Sequence, residues 1–406
     1  MLKRRVRNQS ACYTSRRMPR PPNQDRLIGQ RMRSRLSTTN ASWLTYGLLA
    51  GSVGLALLLR LWGLGFGLPY VYHPDEPRYV ISAQRLFKTL DLDPAHLPNI
   101  SSSSFVYVIN AAAYVPYYAI GRLAGEFDSP DDVPEPAMLA MGVGTIARPT
   151  VFLLGRLVTT LFGAANVIVV FLIGRKLFGR ASIGLLAAVM LAVSPTAVAH
   201  SRYVTPDTYV TFFVSLAFLG AAHVYCDDRL AGHILTGAAL GCAVSSKISG
   251  VLVALPWLTA CIYRRGLTGL IHRHVFAAII AAGLAFVVTT PYIFGNVQTV
   301  INDILFEGRH YAAGHAGMEG DSLAWYLKLM WLTSGVIYGL GAAEIGRGIF
   351  SRSRETLLLA VFPVAYFVFI AGFPVRNDRT FLPMAPLLFL LAASCLVHVY
   401  DWARTS

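Results

Sequence analysis

The strongest constraint on this chain is a series of apolar runs almost free of charge. They lie at roughly 42–62, 149–172, 181–199, 208–225, 233–246, 248–263, 273–290, 325–343, 355–372 and 380–399. Several approach 20 residues, long enough to cross a hydrocarbon core of about 30 Å. Only 14% of the 406 residues are charged and 55% are hydrophobic, against about 25% charged in an ordinary soluble domain. Alternating segments of about 10 residues, the mark of a membrane β-barrel, are absent from the sequence. The runs therefore predict an all-α polytopic membrane protein with about ten transmembrane helices.

The formal charge of +14 is unevenly spread. Residues 1–40 hold 11 Lys/Arg and one acid, Asp25. Rich in Arg, Ser, Pro and Asn, this tail reads as disordered. Only Tyr13 interleaves its arginines, so anchoring beside anionic lipid is a better reading than nucleic-acid binding. No secretory cleavage site follows the first apolar run, which is expected to stay as a span. The five cysteines (Cys12, Cys226, Cys242, Cys261, Cys395) form no CxxC, which predicts neither a disulfide scaffold nor a zinc site.

With the basic tail in the cytosol, span one delivers HPDEPRY (73–79) to the outer face. The turns GRKLFGR (174–180), YRRG (263–266) and GRGIFSRSR (346–354) then fall inside, as the positive-inside rule asks. If 105–121 also spanned, every later loop would flip, so it is placed as an outer-face interfacial or re-entrant helix. Its tyrosines Tyr107, Tyr114, Tyr117 and Tyr118 read as an interface belt. Residues 78–90 put Tyr79, Ala83, Leu86, Phe87 and Leu90 on one face, an amphipathic helix at the membrane surface. The transmembrane domain is thus 41–401, with outer loops 65–148 and 291–324.

The outer face collects ionisable groups, and such groups near a membrane are costly enough to suggest a site. They include Asp75, Glu76, Arg78 and Tyr79; His200, Arg202 and Asp207; Lys247; Glu307, His310, His315 and Glu319; and Arg376, Asp378 and Arg379. One chemistry fits them. A carboxylate takes a proton from an incoming hydroxyl. Arg and Lys hold a phosphate leaving group and neutralise its developing charge. Bland readings stand beside this one. Asp75 also fits a helix N-cap before Pro77. Glu76 fits the positive end of that helix, and Arg202 with Asp207 fits a local ion pair. The glycine-rich segment around His315 fits a mobile gating loop.

Four segments, in order and on one side, resemble a known family. They are HPDEPRY, SRYVTPDTYVTFF (201–213), GCAVSSKISGVLVALP (241–256) and NDRTFLPMAPLLFLLAA (377–393), the last resembling an Arg-x-x-x-Pro-x-x-Pro pattern. Together they resemble the GT-C-type integral-membrane glycosyltransferases, close to the protein O-mannosyltransferase and aminoarabinose-transferase group. The resemblance implies an inverting transferase that moves a sugar from a polyprenyl-phosphate carrier to a hydroxyl of protein, lipid or glycan. It implies that Asp75 is the catalytic base, with Glu76 beside it. Arg78, Tyr79, Arg202, Asp207, Lys247, His315, Arg376 and Arg379 are the expected substrate-binding residues. Where relatives carry a further metal-ligand carboxylate this chain reads SSSSFVY (101–107), so a divalent cation is neither required nor supported. The expected home is the plasma membrane, with the site outside and the N-terminus in the cytosol. The competing class is a polytopic transporter or flippase of lipid-linked or anionic substrates. Such proteins place charge at the midplane and show repeats, neither of which the sequence displays.

Overall fold

The structure is a computed structural model. It describes residues 24–93, 104–135, 138–139, 145–146, 148–294, 297–314 and 316–406, with side chains from residue 43 onward except at 138–139. Residues 1–23 of the basic tail lie outside the described residues. Helix α1 (Gln24–Leu61) starts inside that tail and carries the first apolar run.

Each of the ten apolar runs forms a helix, a helix with a short 3-10 segment or, at 181–199, two helices. They are α1, α4 (Thr150–Phe178), α5 (Ala181–Val193) with α6 (Pro195–His200), α7 (Pro206–Asp227), α8 (Leu230–Ser246), α9 (Ala254–Arg265), α10 (Arg273–Thr289), α12 (Ser322–Ser351), α13 (Arg354–Ala371) and α14 (Ala385–Thr405). The remaining helices are α2 (Glu76–Thr89), α3 (Ser104–Leu123) and α11 (Val297–Ala313). Among the described residues the only strands are the two-residue pair β1 (Met138–Leu139) and β2 (Thr145–Ile146). Five described segments are long and apolar enough to cross a membrane: Trp43–Leu61, Thr150–Phe178, Pro206–Asp227, Arg354–Ala371 and Asp378–Thr405. The chain is an all-α polytopic membrane protein, as its hydropathy predicts.

Proline and glycine set where these helices break and touch. The run 181–199 breaks at Ser194, which precedes Pro195, and the Ser194 hydroxyl caps the new helix at Ala197 N; a residue before proline is driven out of the α region. Where α4 crosses α5, a Cβ on Gly184 would lie 2.4 Å from the Phe171 carbonyl oxygen. Glycine there lets the two backbones meet, the small-residue device of membrane bundles. α14 is the most enclosed helix: every residue from Ala385 to Cys395 is buried, between α5, α12 and α13.

Two expectations about the first loop change. α2 packs against α3, and its buried face is Tyr79, Val80, Ala83 and Leu86. The amphipathic pattern thus turns toward protein, while Leu90 is 78% exposed in a left-handed C-cap. Likewise Tyr107 and Tyr114 of α3 are fully buried. They are core residues and not an interface belt.

Helix directions divide the polar residues between two ends. α7 carries Asp207 in its first turn and finishes at Asp227, and the segment leading into α14 starts at Asp378 and that helix runs on past Asp401. At the far end Lys176 meets Asp227 at 2.5 Å, Arg180 meets Asp401, and Arg347 meets Glu344 at 2.7 Å. Asp75, Asp207, Lys247 and Arg379 gather at the other.

Candidate active site

Asp75 stands at the start of α2, but its backbone is helical (φ −87°, ψ −20°) and its side chain caps nothing. A capping residue would need extended backbone to turn its oxygen onto the first N–H groups. The carboxylate instead reaches across to Arg379, 2.6 Å from Nη2, and keeps about a third of its side-chain surface exposed. Burial alone would raise its pKa. The Arg379 charge and hydrogen bond outweigh burial and hold the carboxyl below the usual range.

Arg379 sits in the second position of the 3-10 segment Asp378–Met384. That segment is capped by Asn377, whose Oδ1 accepts from Thr380 N at 3.0 Å and Thr380 Oγ1 at 2.7 Å. Its guanidinium spans three acceptors. Besides Asp75 it donates to His73 Nε2 at 2.8 Å, and its Nε lies 3.8 Å from Asp207 Oδ2. Burial, then the Arg379 charge, push the His73 pKa down to about 4 despite the nearby carboxylates. The ring is therefore neutral at pH 7 and has one lone pair to offer. The 2.8 Å bond claims it for Nε2, which puts the proton on Nδ1. The Asp75 N–H, 3.2 Å from Nδ1, is then a contact between two donors and not a hydrogen bond.

Asp207, in the first turn of α7, is 1% exposed; its Oδ1 accepts from Lys247 Nζ at 2.9 Å. Lys247 stands where α8 ends and the 3-10 segment Ile248–Val253 begins, a break that lets the side chain turn inward. Asp207 Oδ2 makes no hydrogen bond. One chain of charge thus runs Asp75–Arg379–Asp207–Lys247, two carboxylates against two cations. Beside it His200 Nε2 lies 3.1 Å from Asp378 Oδ2.

Glu76 has a different role from the catalytic one expected. It is 2% exposed, and Arg156 grips both its oxygens, Nε to Oε1 at 2.8 Å and Nη2 to Oε2 at 2.7 Å. Oε1 also accepts from Val204 N at 3.1 Å. Arg156 in turn donates to the Leu64 and Phe66 carbonyls at 2.9 and 2.8 Å and lies over the Tyr203 ring. This buried brace ties α4, the first loop, α2 and the α6–α7 turn together.

Other expected residues divide. Arg78 donates to the Tyr79 hydroxyl at 2.9 Å and covers that ring, and its Nε is buried without a partner. Tyr79 packs on Tyr107, ring centroids 5.5 Å apart. Both adjoin Asp75 on α2. Arg202 donates to Leu59 O at 2.6 Å and presses on Gly63, closing the end of α1; it is not gathered with Asp75. Arg376 donates to the Gly320 and Glu319 carbonyls and so straps the α11–α12 loop. His315 lies outside the described residues.

Sequence reading missed Arg156 and the role of His73. A lone arginine inside the run 149–172 was the available signal, because an unpaired charge cannot stay there. Among the described residues, one group could share a metal ion: Asp228, His233 and His274, ligand atoms within 4.8 Å. It lies at the far end. The Trp257 indole N–H donates to His233 Nδ1 at 3.3 Å, which fixes the proton on Nε2, facing Asp228 Oδ1 at 3.4 Å. Trp257, His233 and Asp228 thus form a hydrogen-bond chain in which His233 accepts at Nδ1 and donates from Nε2.

Comparison with known proteins places this geometry in a family context. The family model described as dolichyl-phosphate-mannose-protein mannosyltransferase matches residues 146–298. No curated protein sequence matches significantly. Among solved structures the chain is similar to ArnT from Cupriavidus metallidurans. In the apo state the TM-score is 0.61 at 17% identity, covering 90% of this chain and 62% of that one. Bound to undecaprenyl phosphate it is 0.62 at 17% identity, covering 88% and 62%. The archaeal oligosaccharyltransferase AglB from Archaeoglobus fulgidus, solved with an inhibitory peptide and a dolichol-phosphate, gives 0.56 at 13% identity, covering 89% and 51%. The chain therefore spans under two thirds of the length of these structures. The matched model and structures are of GT-C polyprenyl-phosphate-dependent glycosyltransferases, the family the sequence motifs resemble.

Proposed function

We propose that the chain is an inverting glycosyltransferase, moving a sugar from a polyprenyl-phosphate carrier to an acceptor hydroxyl at the outer face of the membrane. The observation that carries this reading is the Arg379 guanidinium held between Asp75 and Asp207, beside Lys247. A carboxylate base and two cations stand together at one end of an apolar bundle, where a lipid-borne phosphate would arrive. The likeness to ArnT bound to undecaprenyl phosphate supports the donor class. The reading places the site outside the plasma membrane and the N-terminus in the cytosol, by the basic turns at the far end.

In the proposed step the acceptor oxygen attacks the sugar's anomeric carbon from the face opposite the phosphate. The carbon–oxygen bond to phosphate breaks, and its electron pair leaves on the phosphate oxygen. Asp75 takes the acceptor proton. Arg379 and Lys247 stabilise the charge that gathers on the phosphate, and Arg78 with Tyr79 borders the sugar.

Without donor, Arg379 is bonded to the base itself and makes it a weak one. A donor phosphate competes with Asp75 for that guanidinium. Its arrival shifts Arg379 toward the phosphate, and the freed carboxylate becomes more basic as its partner leaves. Donor therefore binds before acceptor, and the order guards the base until a leaving group is in place. The test is release of polyprenyl phosphate from a polyprenyl-phosphate sugar by purified protein, with product inhibition used to read the binding order. Tight acceptor binding without donor would overturn the ordered scheme, and failure to release polyprenyl phosphate with any sugar donor would overturn the assignment.

A further inference from the structure

At the end opposite Asp75, five helices line a half-open cavity of about 220 Å³. Its walls are Phe178 at the end of α4 and Ile183 of α5; Arg180, Arg347, Glu355 and His398 give it charge or polarity. From Arg156 to Phe178 along α4 is roughly 33 Å at 1.5 Å per residue, so the two sites are independent.

Glu355 is the informative group. It is 8% exposed, and its carboxylate accepts only from neutral hydroxyls: Tyr225 OH to Oε1 at 2.8 Å and Ser353 Oγ to Oε2 at 3.3 Å. It has no ion-pair partner among the described residues. The start of α13 favours a negative charge there, but a buried carboxylate without a cation remains costly. The arginines differ. Arg180 pairs with Asp401 and Arg347 with Glu344. Each guanidinium has five N–H groups: Arg180 spends two on Asp401, whereas Arg347 also donates to Ser351 Oγ and Thr356 Oγ1 and keeps one. The same cavity is thus lined by a carboxylate in want of a cation and by N–H donors, chiefly those of Arg180, for an anion. It is built for a small ligand carrying both charges.

We propose that this cavity binds a zwitterionic phosphoethanolamine group, the ammonium on Glu355 and the phosphate on Arg180 and Arg347. A phospholipid headgroup and free phosphoethanolamine share that chemistry. The primary ammonium donates hydrogen bonds, which a quaternary ammonium cannot do.

The test is native mass spectrometry of the purified chain with an equimolar mixture of phosphatidylethanolamine, phosphatidylcholine and phosphatidylglycerol of matched acyl chains. The expected result is at least tenfold preferential retention of the ethanolamine lipid, lost in Glu355→Gln. In Arg180→Ala, a rim position with a half-exposed side chain, retention of that lipid falls while the chain stays folded. Binding of soluble phosphoethanolamine with no lipid preference would assign the cavity to the free compound. Equal retention of all three lipids without such binding, or a preference unchanged by both substitutions, would overturn the proposal.

Discussion

Two arginine–carboxylate pairs on neighbouring residues of one motif behave as opposites. Glu76 and Arg156 form a sealed pair with side chains 3% and 1% exposed and every oxygen engaged. Asp75 and Arg379 form an open one, 34% and 22% exposed, with a single bond between the partners at 2.6 Å. A sealed pair holds the chain in place, since removing either partner leaves an uncompensated buried charge. An open pair can be parted by a competing anion. The difference teaches that burial, more than charge or position in a motif, separates a brace from a reactive group.

The comparison is most exposed at Asp75. Asp75→Asn is expected to lower turnover by about 10³-fold, within the range for losing a general base, with thermal stability near wild type and donor bound more tightly, since the competing carboxylate charge is gone. Turnover within tenfold of wild type would remove Asp75 from the chemistry.

Arg156→Met tests the other half. It should destabilise the fold by about 3–5 kcal/mol, the usual cost of breaking a buried pair, read as a large drop in thermal midpoint. Retained stability would mean that the brace holds nothing.

Arg379→Met sharpens the contrast. The open pair predicts a stability change of about 1 kcal/mol or less and a donor affinity weakened about tenfold or more, with Lys247→Ala acting in the same direction. If Arg379→Met unfolds the protein as Arg156→Met does, the two pairs are alike and the distinction fails.

A last test concerns pH. The His73 pKa is lowered in the folded state from an ordinary 6.5 to about 4, so the unfolded chain binds the extra proton first. Stability is complete above about 6.5 and declines as pH falls toward 4. His73→Gln should flatten that slope in thermal melts across the interval, and an unchanged slope would assign it to other groups.

The fold was legible because apolar runs and proline breaks act locally. The convergence of Asp75, Asp207, Lys247 and Arg379 was legible because each stands at the end of a run on one side. What stayed hidden is who holds whom. Adjacent residues in a helical turn point about 100° apart, so Asp75 and Glu76 share a motif and yet face different partners. Arg202 and Arg376 carry the charge of a phosphate clamp, but each is turned onto backbone carbonyls, of α1 and of the α11–α12 loop. Linear spacing cannot reveal such carbonyl partners. Arg156 hid inside a span because its partner lies 80 positions away.

The enclosure of α14 has a mechanical consequence. The helix begins six residues after Arg379 and is walled in along its first three turns, so it acts as a fixed beam. Any reach of the guanidinium toward a ligand comes from side-chain rotation and from the short capped segment, a few ångströms at most. On the proposed reading this makes the site a ruler. On that reading it would sort carriers by reach, and donors that differ by one phosphate between lipid and sugar would test it.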